Sequence, residues 1–69
     1  MRRLQIMAYN PWQTEAQSIT WGVGYNSESS LYGIIQKARK EYAEHCITLY
    51  YEDGHVVTYR PLHREQQYI

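Results

Sequence analysis

Hydrophobic and polar residues alternate with period two over four stretches of the chain and follow helical spacing over a fifth. In the first stretch, residues 3–9, Leu4, Ile6 and Ala8 fall on one face and Arg3, Gln5 and Met7 on the other, which predicts a strand. Asn10-Pro11 ends it, because proline cannot donate a ladder hydrogen bond. Residues 10–17 then form a polar connection that holds one large apolar residue, Trp12. The second strand, about residues 18–25, sets Ile19, Trp21, Val23 and Tyr25 against Thr20, Gly22 and Gly24. Two glycines at period two cost backbone entropy and pack nothing, so they need a reason. A bulge would supply one, as would a helix lying close on that face, or the close approach of a ligand or partner backbone.

Asn26-Ser27-Glu28-Ser29-Ser30 is a helix-start cluster, rich in side chains that accept from free N–H groups, with an acid suited to the positive end of the dipole. Leu31, Ile34, Ile35, Ala38 and Tyr42 follow at helical spacing and predict a helix over about 28–45. Lys37, Lys40, Glu41 and Glu44 form its solvated face, with Lys37–Glu41 and Lys40–Glu44 as i,i+4 pairs.

Residues 46–51 and 56–60 make a hairpin around Asp53-Gly54. A two-residue turn would set Ile47 opposite Arg60 and Leu49 opposite Thr58, mixing the faces. A three-residue loop, Glu52-Asp53-Gly54 with Gly54 left-handed, pairs Ile47 with Tyr59 and Leu49 with Val57 and keeps the apolar set together. Pro61 ends the last strand, and residues 62–69 form a tail. The expected architecture is therefore α+β, in the order ββαββ: a twisted antiparallel sheet of three or four strands with one amphipathic helix on one face. The expected thin core consists of Ile19, Trp21, Val23, Leu31, Ile34, Ile35, Ala38, Tyr42, Ile47, Leu49 and Val57.

Length and charge narrow the function. The chain has 69 residues, seven basic and seven acidic side chains, and a single cysteine. That fits one small domain (1–69) with no internal disulfide. Zero formal charge disfavours both a phosphate-neutralising surface and an acidic nucleic-acid mimic. No apolar run reaches the ~20 residues of a bilayer span, and Met1-Arg2-Arg3 leads into no signal-peptide core, so a cytoplasmic location is expected.

Candidate chemistry is sparse. His45 and Cys46 are adjacent, so on a strand they point to opposite faces and cannot form a thiolate–imidazole pair. His45, Cys46, His55 and His63 lack zinc-ligand spacing, so no metal or cofactor is expected. Tyr59-Arg60-Pro61-Leu62-His63-Arg64 has the ingredients of phosphodiester cleavage, with His63 or Tyr59 for proton transfer and Arg60 for the transition-state charge. In this composition it is similar to the C-terminal strands of small RNA-cleaving toxins. Lys37, Arg39 and Lys40 are the candidate contacts for a nucleic acid, with tyrosines as stacking platforms. Neither set is framed by a motif.

The aromatic residues point elsewhere. Eight tyrosines and two tryptophans stand with no phenylalanine, a choice suited to surfaces with one apolar side and one wet edge. A chain this short cannot bury ten large rings, and Tyr, Trp and Arg are the residues enriched in interface hot spots. Tyr9, Trp12, Tyr50, Tyr51 and Tyr68 find no place on the expected core faces. With Arg60 they form the expected protein-binding surface of a non-enzymatic inhibitor or adaptor. Self-association through a strand edge or the bare sheet face is also expected of so small a core. In size and character the chain resembles the short inhibitors that phages and mobile elements encode, anti-CRISPR proteins included. That likeness implies a larger host protein or complex as partner. A small nucleic-acid-binding regulator is the alternative, and an RNA-cleaving toxin the third reading.

Overall fold

The computed structural model describes residues 1–11 and 18–62. Strands β1 (Arg2–Tyr9) and β2 (Ile19–Tyr25), helix α1 (Glu28–Glu41) and strands β3 (Cys46–Tyr51) and β4 (Val56–Tyr59) follow in that order. The four strands form one antiparallel sheet in the order β2-β1-β3-β4. The ββαββ α+β domain expected from the periodicities is thus present. Its central pair is β1 and β3, which are distant in sequence.

β1 is central because β2 and β3 both run antiparallel to it, Leu4 lying between Val23 and Tyr51, and Ile6 between Trp21 and Leu49. The chain leaves β2, passes through α1 and returns on the far side of β1. α1 covers one face of the sheet, and its buried residues Leu31, Ile35 and Ala38 join Leu4, Ile6, Ala8, Tyr25, Ile47 and Leu49 in the core. Ile6, Ile47 and Leu49 are the largest fully buried side chains, each contributing about 1.5–3 kcal/mol through burial.

Several expectations about the core need correction. Leu4, Ile6 and Ala8, outside the expected core set, are among its best-covered members, because β1 has a strand on either side and the helix above. Ile19, placed in that set, is 43% exposed. It stands at the end of an edge strand, with no described strand beyond it. Tyr51 follows Ile47 and Leu49 onto the helix face and packs partly buried against the core. It therefore does not share a face with Tyr50.

The helix begins where the Ser cluster puts it. Ser27 is the N-cap, its Oγ accepting from the Ser30 N–H at 3.2 Å, while the Ser27 N–H donates to the Ser30 Oγ at 3.2 Å. It ends earlier than 45. Tyr42 is the C-cap, with φ −119° and ψ 58°, and its ring lies 5.5 Å from that of Trp21. The His45 N–H donates to the Tyr42 carbonyl at 2.9 Å, closing a turn. The next residue, Cys46, already opens β3, so the chain must reverse at once.

The β3–β4 hairpin adopts the three-residue loop. Ile47 pairs with Tyr59 and Leu49 with Val57. Gly54 has φ 97°, the single positive φ among the described residues. Tyr51 and His55 close the loop, the Tyr51 N–H donating to the His55 carbonyl at 3.1 Å.

Candidate functional site

Alternation along each strand fixes what the sheet presents on the side away from α1. β1 contributes Arg3, Gln5, Met7 and Tyr9; β2 contributes Thr20, Gly22 and Gly24. β3 adds Cys46, Thr48 and Tyr50, and β4 adds Val56 and Thr58. The registers align them in cross-strand rows: Gly22, Gln5, Tyr50 and Val56 in one, Thr20, Met7, Thr48 and Thr58 in the next. The Thr48 and Thr58 hydroxyls lie 3.3 Å apart. Tyr9, Tyr50 and Val56 are exposed, Val56 by 53%. Arg3 at one end is the face's one charged strand residue, and Arg60 follows the last strand at its other end.

The two glycines acquire a reason on this face. The β1–β2 register runs unbroken from Arg2↔Tyr25 to Ala8↔Ile19, so they mark no bulge. Nor do they make room for the helix, which lies on the opposite side. Gly24 sits beneath the Met1 side chain, whereas a Cβ at Gly22 would meet nothing within 4 Å. A shallow hollow of about 370 Å³, lined by Met1, Arg3, Gln5, Gly22, Gly24 and Glu52, opens over them. The chain's own Met1 side chain thus accounts for the bare position at Gly24, while the space over Gly22 is open.

Of the expected protein-binding residues, Tyr9 and Tyr50 lie on this open face, in strands β1 and β3, and Arg60 borders it. Tyr51 lies on the opposite side, stacked on the His55 ring at 4.1 Å. Partial burial, and then the neighbouring Tyr59, raise its phenol above the ordinary value of 10.0. Trp12 and Tyr68 lie outside the described residues, as does His63.

The candidate nucleic-acid contacts do not form one surface. Lys37 and Lys40 are both exposed on α1, on the side of the sheet opposite its open face. Arg39 turns toward the sheet, its guanidinium 4.8 Å from the Tyr59 ring centre and its Nη2 donating to the Arg60 carbonyl at 3.4 Å. Tyr59, one of the toxin-like residues, is thereby engaged beneath Arg39. Arg60 contributes its carbonyl to the same clamp, which ties the end of β4 to the helix.

A second polar group lies in the β3–β4 loop, where the sequence shows only a turn. The Asp53 Oδ1 accepts from the His55 N–H at 3.1 Å and lies 2.6 Å from the His55 Nδ1. An ionised carboxylate can only accept, so Nδ1 carries the proton in this pair. The backbone N–H of His55, and next its ring, hold the Asp53 carboxyl below its ordinary value of 3.8. A depressed carboxyl stabilises the fold above its unfolded-state pKa and loses that contribution as pH falls through the folded one. Asp53→Ala is therefore expected to lower the urea midpoint at neutral pH, and the gap to wild type should close below about pH 4. A gap independent of pH would show that the pair does not act through ionisation.

Among the described residues, no group of three His, Cys, Asp or Glu side chains is placed to hold a metal ion. No described helix is long and apolar enough to cross a membrane. No protein-family model matches the chain, and no curated protein or solved structure matches it at a significant level.

Proposed function

We propose that this domain works by binding another protein through the helix-free face of its sheet, as an inhibitor or adaptor rather than as an enzyme. The observation that carries this reading is that face's composition: from β2 to β4 it is uncharged in its interior rows, with Tyr9, Tyr50 and Val56 exposed. Tyrosine supplies large contact area with little conformational freedom to lose, and depletion of charge at the centre is the mark of an interface core. Arg3 and Arg60 at the margins suit the polar rim of such a patch. A nucleic acid would instead call for clustered cations, and the chain has zero formal charge.

The test is quantitative affinity capture from the cells that produce the protein. Wild type is compared with the double variant Tyr50→Glu/Val56→Glu and with Tyr32→Ala, which alters an exposed tyrosine on α1. Tyr32→Ala is an exposed substitution that changes stability by within about 0.5 kcal/mol. The two glutamates instead face each other across β3 and β4 and weaken the sheet by up to about 1 kcal/mol. Capture is therefore compared at a temperature where circular dichroism shows all three folded. One protein is expected to be recovered equally by wild type and Tyr32→Ala and at least tenfold less by the double variant, since buried unpaired charge is costly. Equal recovery by all three would sink the reading. So would salt-sensitive binding of mixed RNA or DNA by the wild type, which would favour the nucleic-acid regulator instead.

A further inference from the structure

We propose that two copies of this chain pair edge to edge through β2, antiparallel about Gly22, joining their two four-stranded sheets into one. The inference does not depend on what the open face binds. β2 is the outermost strand on its side of the sheet, and no described strand pairs with its outer edge. It is seven residues long, ITWGVGY, without a charge, a proline or a bulge. Those are the devices by which soluble proteins protect an edge, and a strand lacking all of them is a template for pairing. The opposite edge, β4, is only four residues long and is followed by Arg60-Pro61.

The order of residues along β2 favours a second copy over an unrelated strand. Large side chains (Ile19, Trp21, Val23, Tyr25) alternate with small ones (Thr20, Gly22, Gly24), so the size pattern reads the same in both directions about Gly22. Antiparallel pairing about that residue engages the whole strand. Ile19 meets Tyr25 of the second copy, Trp21 meets Val23, Thr20 meets Gly24, and Gly22 meets Gly22. The Trp–Val and Ile–Tyr pairs are aromatic–β-branched contacts of the kind that stabilise sheets. They would also cover Ile19, the residue the isolated fold leaves exposed.

Hydrogen-bonding parity fixes the relative orientation. Only alternate residues of β2 direct their N–H and C=O outward, and these can bond only to outward-directed residues of the second strand. Odd residues must then face odd, and even face even, so both α1 helices lie on the same side of the joined sheet. Both open faces become one continuous surface, with the glycines at its centre. A standard interface takes about 800 Å² from each partner. A single strand edge supplies less, so association in the micromolar range is expected.

Sedimentation equilibrium from about 5 μM to 1 mM tests this on the intact chain, with wild type, Gly22→Lys and Val56→Lys. A side chain at Gly22 meets nothing within 4 Å in the monomer, but in the dimer two lysines would oppose each other at the centre of the pair. Wild type is expected to move with concentration from the 8.3 kDa monomer toward twice that mass. Gly22→Lys should associate several-fold more weakly than wild type, because like charges directly opposite each other oppose pairing, and Val56→Lys should associate like wild type. Should Gly22→Lys fail to fold, amide exchange decides: alternate β2 amides of the wild type should gain protection as concentration rises. A wild type that remains monomeric at 1 mM overturns the proposal. It is equally overturned by a dimer as tight in Gly22→Lys as in wild type, by one that Val56→Lys abolishes, or by one whose β2 amides gain no protection.

Discussion

Leu49→Ala is expected to cost about 2–5 kcal/mol, enough to leave much of the protein unfolded at 37 °C. Leu49 is fully buried, at the point where β3 is flanked by β1 and β4 and covered by the helix face. It pairs with Ile6 on one side and Val57 on the other. A domain of this length has a total stability of roughly 3–10 kcal/mol, taking about 0.05–0.15 kcal/mol per residue. The loss of one such side chain therefore consumes a large part of the whole. Ile19→Ala removes a similar side chain from an exposed strand end and is expected to cost less than about 1 kcal/mol in the monomer. Urea unfolding at low protein concentration, with equal slopes for the three proteins, checks the contrast. Equal losses at Leu49 and Ile19 would mean that the sheet is not centred on β1 and β3.

That contrast also shows what the residues reveal unaided and where they stop. Periodicity marks each strand's two faces, so Leu4, Ile6 and Ala8 are recognisable as a set from their spacing alone. It does not say which strand is central, and centrality decides that β1 is buried while Ile19, on an equally apolar strand, is exposed. Strand order depends on contacts between segments some forty residues apart, as between Ile6 and Leu49, and no local pattern encodes those. The helix end is a similar case. The apolar stripe continues through Tyr42, but Tyr42 packs on Trp21 and the chain turns, a tertiary contact overriding a local repeat.

The candidate site divides along the same line. Tyr9 and Tyr50 are legible as rings off the core face. Tyr51 misleads because two adjacent tyrosines on a strand cannot both point outward. The step from Ile47 and Leu49 to Tyr51 carries that signal in the sequence, and the strand's alternation is enough to read it. Arg39 looks like one cation in a basic run until β4 is placed beside the helix, where Tyr59 and the Arg60 carbonyl capture it. The glycines on β2 are visible from the start. Their meaning requires knowing on which side of the sheet the helix lies.

Gly54→Val is expected to have the second largest effect, because the open face depends on the β3–β4 register. Gly54 sits at φ 97°, a conformation that costs an L-residue about 1–2 kcal/mol, and more when the side chain is β-branched. Asn tolerates the left-handed region better, so Gly54→Asn should lie between wild type and Gly54→Val. The loop fixes which residues of β4 meet β3. In the alternative two-residue turn, Leu49 would face Thr58 and Ile47 would face Arg60. That arrangement would send Val57 and Tyr59 out of the core and disrupt the Tyr50–Val56 row of the open face. The strain is therefore expected to be met by loss of stability rather than by a slipped hairpin. Urea unfolding should show a lowered midpoint for Gly54→Val, while cross-strand amide contacts at Leu49 and Val57 persist in the folded fraction. Wild-type stability in Gly54→Val would show that the loop does not need its left-handed residue. A changed pattern of cross-strand contacts would show instead that the loop, and not the segregation of Ile47, Leu49, Val57 and Tyr59, sets the register.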